Sequence, residues 1–268
     1  KFMISIVLPV YNNEKTIKLV LESIYREITP QDEIIVIDDC STDKSYLKIK
    51  YFKKKYKNIQ LINLKNDKQM GIAYSLNKAI LISKNNYIAR VDGDDINIKN
   101  RFKFQLKVLK DNPEIDLLSC SKIDYKDLNQ LNIKNFFIKK GVKYNLDKIT
   151  KYHLAYKNLI VHPSIICKSK ILKNFKYTEN YTKSQDYKLW LDMILSGIKI
   201  YSCDIPVIFY FTRKSDKSKI KLQLLYSIKA RLSHINFKKP LISLILFLGS
   251  ARDTISITKI YLQNKNGV

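Results

Sequence analysis

Over roughly its first 120 residues the chain alternates short apolar runs with helix-length segments, and this alternation leaves few folds open. Residues 3–10 (MISIVLPV), 32–39 (DEIIVIDD), 59–64, 87–91 and 117–123 are strand-like. The first is apolar at nearly every position, as a strand buried on both faces is. Between these runs, apolar residues recur at helical spacing: Ile17, Val20, Leu21 and Ile24 within residues 14–26, then Ile49, Phe52 and Tyr56, then Leu76, Ala79 and Ile80, then Phe102, Leu106 and Leu109, closing near Pro113. A β-α-β-α-β order with helix-length connections predicts an α/β fold: a mostly parallel sheet with right-handed crossovers, flanked by helices.

The fourth strand run ends in Asp92-Gly93-Asp94-Asp95. A buried strand thereby delivers three carboxylates to the carboxyl edge of the sheet, where open α/β sheets bind ligands. Carboxylates this close repel one another unless a cation or a donor network neutralises them. Hard oxygen ligands suit Mg²⁺ or Mn²⁺ better than zinc. The bland alternative is an acidic turn in solvent in which Gly93 supplies a positive φ.

Further along, residues 124–157 are polar and rich in Lys and Asn, with one apolar patch at Phe136-Phe137-Ile138. Residues 158–167 (NLIVHPSIIC) resemble a strand interrupted by His162-Pro163. Ser184-Gln185-Asp186 precedes a helix with Tyr187, Trp190, Leu191 and Ile194 inward, and residues 198–201 and 207–211 are expected as two short strands. From residue 216 the pattern changes to two helices, the second over 240–263. Its longest apolar run, residues 241–249, falls short of the ~20 needed to span a bilayer.

Lys and Arg number 49 against 24 Asp and Glu, a formal charge of +25. That balance favours anionic surroundings: nucleic acid, phosphorylated substrates or an acidic membrane face. The chain's bias toward Lys, Asn and Ile makes much of the charge attributable to composition. The four cysteines are scattered without a CxxC pair. They suggest neither zinc nor a disulfide framework and fit a reducing cytosol.

Several motifs fall together: VLPVYNNE at the first strand end, IDDCSTD at the second, MGIAYSLN after the third, VDGDD at the fourth, then HPSII and QDYKLWL. Their order at successive strand ends resembles the family 2 glycosyltransferases, strongest over residues 3–110 and fading after about 211. The resemblance implies a Rossmann-like GT-A fold and an inverting transfer of sugar from a nucleotide-diphosphate sugar, UDP being favoured, to a saccharide or lipid-linked saccharide in bacterial surface polysaccharide or glycolipid assembly. It implies a DxD-type site for Mn²⁺ or Mg²⁺ at Asp92 and Asp94, with Asp94 nearer the metal. Asp186 matches the catalytic base, although Gln185 stands where many members have Glu. Pro9, Tyr11, Glu14, Asp39, Gly71, Asn77, Arg90, Asp92 and Gly93 fall on the donor side, Asp39 at the position that reads the base edge. His162, Gln185 and Trp190 fall on the acceptor side, Trp190 weighing toward core. Arg213, Lys214, Ser215 and Ser218 form a basic loop where related enzymes close over the diphosphate.

The resulting division is a catalytic domain over 1–212, with a nucleotide-sugar half (1–123) and an acceptor half (124–212), and a C-terminal helical extension over 213–268. The extension has two readings of equal weight: an interfacial helix on the inner face of the cytoplasmic membrane, or a helix pair packed on the catalytic domain or in a homodimer. A basic nucleic-acid-binding module explains the charge but not carboxylates gathered at strand ends. A sugar nucleotidyltransferase would want a Gly-rich, cationic phosphate loop after the first strand, where this chain has Tyr-Asn-Asn-Glu. The expectation is a cytoplasmic enzyme with no nucleic-acid partner.

Overall fold

The computed structural model describes residues 3–128, 131, 136–212, 217–236 and 238–265. The chain runs β1 (Ile4–Val10), α1 (Ile17–Tyr25), β2 (Glu33–Asp38), α2 (Ser45–Lys55), β3 (Gln60–Lys65), α3 (Ile72–Ile82), β4 (Tyr87–Arg90), β5 (Ile96–Asn97), α4 (Arg101–Asp111), β6 (Leu117–Tyr125), β7 (Leu146–Ile149), α5 (Lys151–Tyr156), β8 (Ile166–Lys168), α6 (Ser169–Asn174), α7 (Gln185–Leu195), β9 (Ile200–Phe211), α8 (Lys217–Leu232) and α9 (Pro240–Lys265). It divides into two compact units, one of residues 1–148, 160–176 and 199–212, the other of residues 149–159, 177–198 and 213–268.

The first unit is built on a sheet with nine strands among the described residues, ordered β3-β2-β1-β4-β8-β6-β9-β5, with β7 beside β9. β3, β2, β1 and β4 are parallel neighbours, in the register Val10↔Asp38↔Lys65 and Val7↔Arg90. All seven residues of β1 are buried because the sheet is covered on both faces. α1 contributes Ile17, Val20, Leu21 and Ile24, each fully buried, at the 3–4 spacing that puts them on one face. The parallel register brings the carboxyl ends of β1, β2 and β4 to one edge.

The other half of the sheet is mixed. β8 lies antiparallel to both β4 and β6, whereas β6 and β9 are parallel. Residues 158–167 are not one interrupted strand. His162–Ser164 forms a 3₁₀ turn with Pro163 inside it, and only Ile166–Lys168 pairs in the sheet. Proline lacks the N–H a ladder needs but suits the first turn of a helix. Conversely, the two short strands expected at 198–201 and 207–211 are one strand. Pro206 sits where the register against β6 shifts around Ser121, and a bulge absorbs a residue that cannot donate to the ladder. The two-residue β5 was not anticipated.

The second unit is helical. α7 buries Tyr187, Leu189, Trp190, Leu191, Met193 and Ile194, and groups with α5, α8 and α9 although the sequence assigned it to the catalytic part. Tyr187 donates its hydroxyl to the Leu154 carbonyl at 2.5 Å, and Ser184 donates to the Gln223 carbonyl at 2.9 Å. The length expectation for the C-terminal helix needs correcting. Pro240–Ile260 has a mean hydropathy of 1.4 and is long and apolar enough to cross a membrane, because sparse Arg and Asp after residue 249 do not outweigh its aliphatic content. Residues 213–215 of the expected basic loop lie outside the described residues.

Candidate active site

β4 places the acidic cluster. Its last residue, Arg90, is 2% exposed, and its guanidinium grips Asp92 with both terminal nitrogens, one at 2.7 Å. Such a bidentate fork fixes a carboxylate in position as well as charge. Asp92, Asp94 and Asp95 each offer an oxygen within 4.8 Å of the other two. Asp95 is 1% exposed; its Oδ1 accepts the Phe211 N–H at 3.0 Å while its buried Oδ2 has no hydrogen-bond partner among the described residues. Burial, then the charges of Asp92 and Asp94, push the Asp95 carboxyl up to about 8. Three convergent carboxylates with an orphaned buried oxygen are a donor set that fits a hard divalent cation.

The loop carrying these carboxylates is seated against the β1–α1 connection. Thr16 Oγ1 donates to the Gly93 carbonyl at 2.6 Å. Gly93 is not in the positive-φ region, so the solvent-turn account of it is wrong. A side chain there would have to displace Asn13, because a Cβ would lie 2.5 Å from Asn13 Oδ1. From the other side, Tyr125 donates its hydroxyl to the Asp94 carbonyl at 2.7 Å. Tyr210 on β9 is pushed up to about 12 by burial and by the charges of Asp95 and Asp92, so it stays protonated.

The ends of β1 and β2 form the neighbouring rim. Tyr11, just after Pro9 and Val10, is 42% exposed. The Tyr11, Asn12 and Asn13 amides donate to Asn13 Oδ1, Ser41 Oγ and Ser45 Oγ, which fixes the YNN turn. Glu14 does not cap its own helix: its Oε2 accepts the Lys44 N–H at 3.2 Å at the start of α2. Asp39 is 4% exposed. Its Oδ1 accepts from Asn66 Nδ2 and the Met70 amide and its Oδ2 from the Gly71 amide, all at 2.8 Å. Asp39 therefore organises the 66–71 loop, and one acceptor position on Oδ2 remains. Gly71, with φ 92, opens α3, a conformation other residues rarely adopt. Asn77 is half-buried on that helix.

His162 is 9% exposed, and burial together with the Arg90 charge holds its imidazole well below the usual range. Beneath it lies Arg101, which the sequence did not single out. It is fully buried and donates to Asn97 Oδ1 (2.6 Å), Gln105 Oε1 (3.0 Å), the Arg90 carbonyl (3.0 Å) and the Pro163 carbonyl (2.8 Å). It ties the end of β4 to the His162 turn, and desolvation lowers its pKa to about 10. The available signal was a cation in the first turn of a helix, against the dipole.

In the second unit, Gln185 and Asp186 open α7 behind Ser184, whose φ is 53. Asn158 Nδ2 donates to Asp186 Oδ2 at 3.3 Å. Trp190 is fully enclosed and meets Tyr177 edge-on at 6.5 Å, so its ring packs as core and has no free face for a sugar.

Comparison with known proteins bears on this arrangement. The sequence model described as Glycosyl transferase family 2 matches residues 5–172. The uncharacterized glycosyltransferase MJ1057 of Methanocaldococcus jannaschii is 36% identical over 252 residues, 92% of this chain and 84% of that protein. The Escherichia coli protein WfaP, a UDP-Glc:alpha-D-GlcNAc-diphosphoundecaprenol beta-1,3-glucosyltransferase, is 29% identical over 78% of this chain and 76% of its own length. Among solved structures, S. aureus TarS 1-349 superposes with a TM-score of 0.70 at 19% identity, covering 96% of this chain and 73% of that one. The mannosyltransferase PcManGT from Pyrobaculum calidifontis, in complex with GDP-Man and Mn2+, gives 0.69 at 15% identity, covering 97% and 73%. The fold they share with this chain is the GT-A fold, a mixed α/β sheet with flanking helices.

Proposed function

The chain belongs to glycosyl transferase family 2 and is a glycosyltransferase, and we propose that it moves a sugar from a UDP-sugar to an acceptor hydroxyl with inversion, in surface polysaccharide or glycolipid assembly. The observation that carries this reading is the Asp92–Asp94–Asp95 cluster, with its ligand oxygens within 4.8 Å of one another at the end of β4. Asp94 and Asp92 would hold Mn²⁺ or Mg²⁺. Bound there, the cation supplies Lewis-acid neutralisation of the charge that builds on a departing diphosphate.

The chain's own groups carry the rest. Arg90 grips Asp92 and holds its carboxylate aimed at the edge of the sheet. Tyr11 offers an exposed ring to the base, and the remaining acceptor position on Asp39 suits a uracil imide proton. Gly71 and Asn77 lie along the donor; His162, neutral and proton-poor, and Gln185 are each acceptor-side candidates. Asp186 takes the proton of the acceptor hydroxyl, since an alcohol is a weak nucleophile at neutral pH and a carboxylate in reach of its proton activates it. Inversion needs no enzyme nucleophile. UDP is favoured by Asp39 and by WfaP, whose donor is UDP-Glc. GDP-mannose, which PcManGT holds, is the competing donor.

The test is a panel of UDP-, GDP- and dTDP-sugars with Mn²⁺, Mg²⁺ or chelator, reading released nucleoside diphosphate and melting temperature. A metal-dependent rise with UDP and slow hydrolysis of one UDP-sugar, both lost in Asp94→Asn, is the expected result. A chain that no nucleotide stabilises in the presence of metal would not be this enzyme.

A further inference from the structure

α9 has two opposite faces. Ile242, Leu246, Ser250 and Asp253 are buried, and the helix packs on α8 and α5 within its own unit. A period of 3.6 residues puts Leu241, Leu244, Phe247, Leu248 and Ile255 on the other side, where each is between 49% and 59% exposed. Isolated exposed apolar residues are ordinary, but five on one stripe form a contiguous patch that marks an interaction surface.

The charge around the patch decides what fits it. Residues 217–268 hold eight Lys and two Arg against one carboxylate, Asp253. That carboxylate is not available to a partner: it is 2% exposed and pairs with buried Arg231 at 2.7 Å and with Arg252. Lys217, Lys219, Lys221, Lys238, Lys239 and Lys259 are exposed. The surface is thus an aliphatic and aromatic stripe beside cations, with no exposed side-chain carboxylate among the described residues of α8 and α9. A second copy would bring the same positive field and be repelled. We propose that this face docks on an anionic lipid bilayer, lying in the plane of the headgroups.

Length and composition also permit α9 to cross a bilayer, but its packing argues for the in-plane mode. Spanning would strip the Arg231–Asp253 pair from its surroundings and carry Asp253 and Arg252 into hydrocarbon, where charges are costly. Lying in the interface keeps the pair buried in protein and immerses only the exposed stripe. What faces outward is an apolar stripe with cations beside it, and binding of such a surface scales with its apolar area plus attraction to anionic lipid.

The test is co-sedimentation of the full chain with vesicles of phosphatidylcholine alone or mixed with phosphatidylglycerol. Binding is expected only to the mixed vesicles. It should weaken as salt rises from about 0.1 M to about 1 M, which shortens the Debye length from about 10 Å to about 3 Å, and be released by alkaline carbonate. Leu244→Ser/Phe247→Ser/Leu248→Ser should lower affinity at least tenfold with an unchanged melting temperature, and Lys238→Gln/Lys239→Gln should lower it in mixed vesicles alone. Undiminished binding of the triple variant, retention through carbonate extraction, or a dimer that the triple variant dissolves would each overturn the proposal. The nucleotide-induced rise in melting temperature, read on the same samples, separates this outcome from failure of the donor reading.

Discussion

Asn13 and Gly93 meet where the first and fourth strand ends converge: a Cβ on Gly93 would lie 2.5 Å from Asn13 Oδ1, an atom already held by the Tyr11 N–H at 3.1 Å. The YNN turn and the acidic loop are thereby one mechanical piece. Gly93→Ala must push Asn13 out of that bond, an overpacking cost of about 1–3 kcal/mol, and should abolish the nucleotide-induced rise in melting temperature. Asn13→Ala in the same chain removes the obstacle and should restore part of it. Equal nucleotide binding by Gly93→Ala and the parent chain would show that the two loops move independently.

Asp186→Asn keeps the size of the side chain and its contact with Asn158 but cannot accept a proton. Turnover with acceptor should fall by about 10²–10⁴-fold, while UDP still stabilises the protein as in the parent. A variant that loses nucleotide binding in step with turnover would assign Asp186 a role in folding or donor binding instead.

Arg101 joins the β4 end to the His162 turn through two backbone carbonyls and two side-chain oxygens. Arg101→Met leaves those buried acceptors without a donor, at about 1–3 kcal/mol each before relaxation, so a loss of about 3 kcal/mol in denaturant unfolding is expected. Arg101→Lys should not restore it, because one ammonium cannot span acceptors set around a planar fork. Full stability of the Lys variant would mean that charge, not geometry, is what the site uses.

Glu27 gives a pH dependence of stated sign. Burial raises its pKa from 4.5 to about 7 despite its accepting the Asn100 and Phe102 amides at the start of α4. The folded chain holds this proton more tightly than the unfolded one. The contribution is therefore fully present below pH 4.5 and is lost as pH rises through about 7, by about 3 kcal/mol. The unfolding free energies of the parent and Glu27→Gln, compared across that range, should diverge with this slope; parallel curves would contradict it.

The parallel half of the fold and the gathering of its strand ends at one edge were legible in the sequence because their signals are local. Strand runs buried on both faces, amphipathic helices between them and polar residues at each strand end require no knowledge of distant contacts. The place of Asp92, Asp94 and the VLPVYNNE turn at strand ends followed from position, whereas their roles came only from the family resemblance. The strand limits around Pro163 and Pro206 were not legible, since whether a proline ends a strand or sits in a bulge depends on the neighbouring strand.

What the sequence by itself determined was which chemistry gathers at the sheet edge, because parallel β-α-β connections force successive strand ends to one side. Tertiary structure alone decided what those residues are bonded to: Asp39 to its loop, Glu14 to α2, Asp92 to Arg90. It also decided which face of α9 is covered, since burial and desolvation are properties of packed neighbours far apart in the chain.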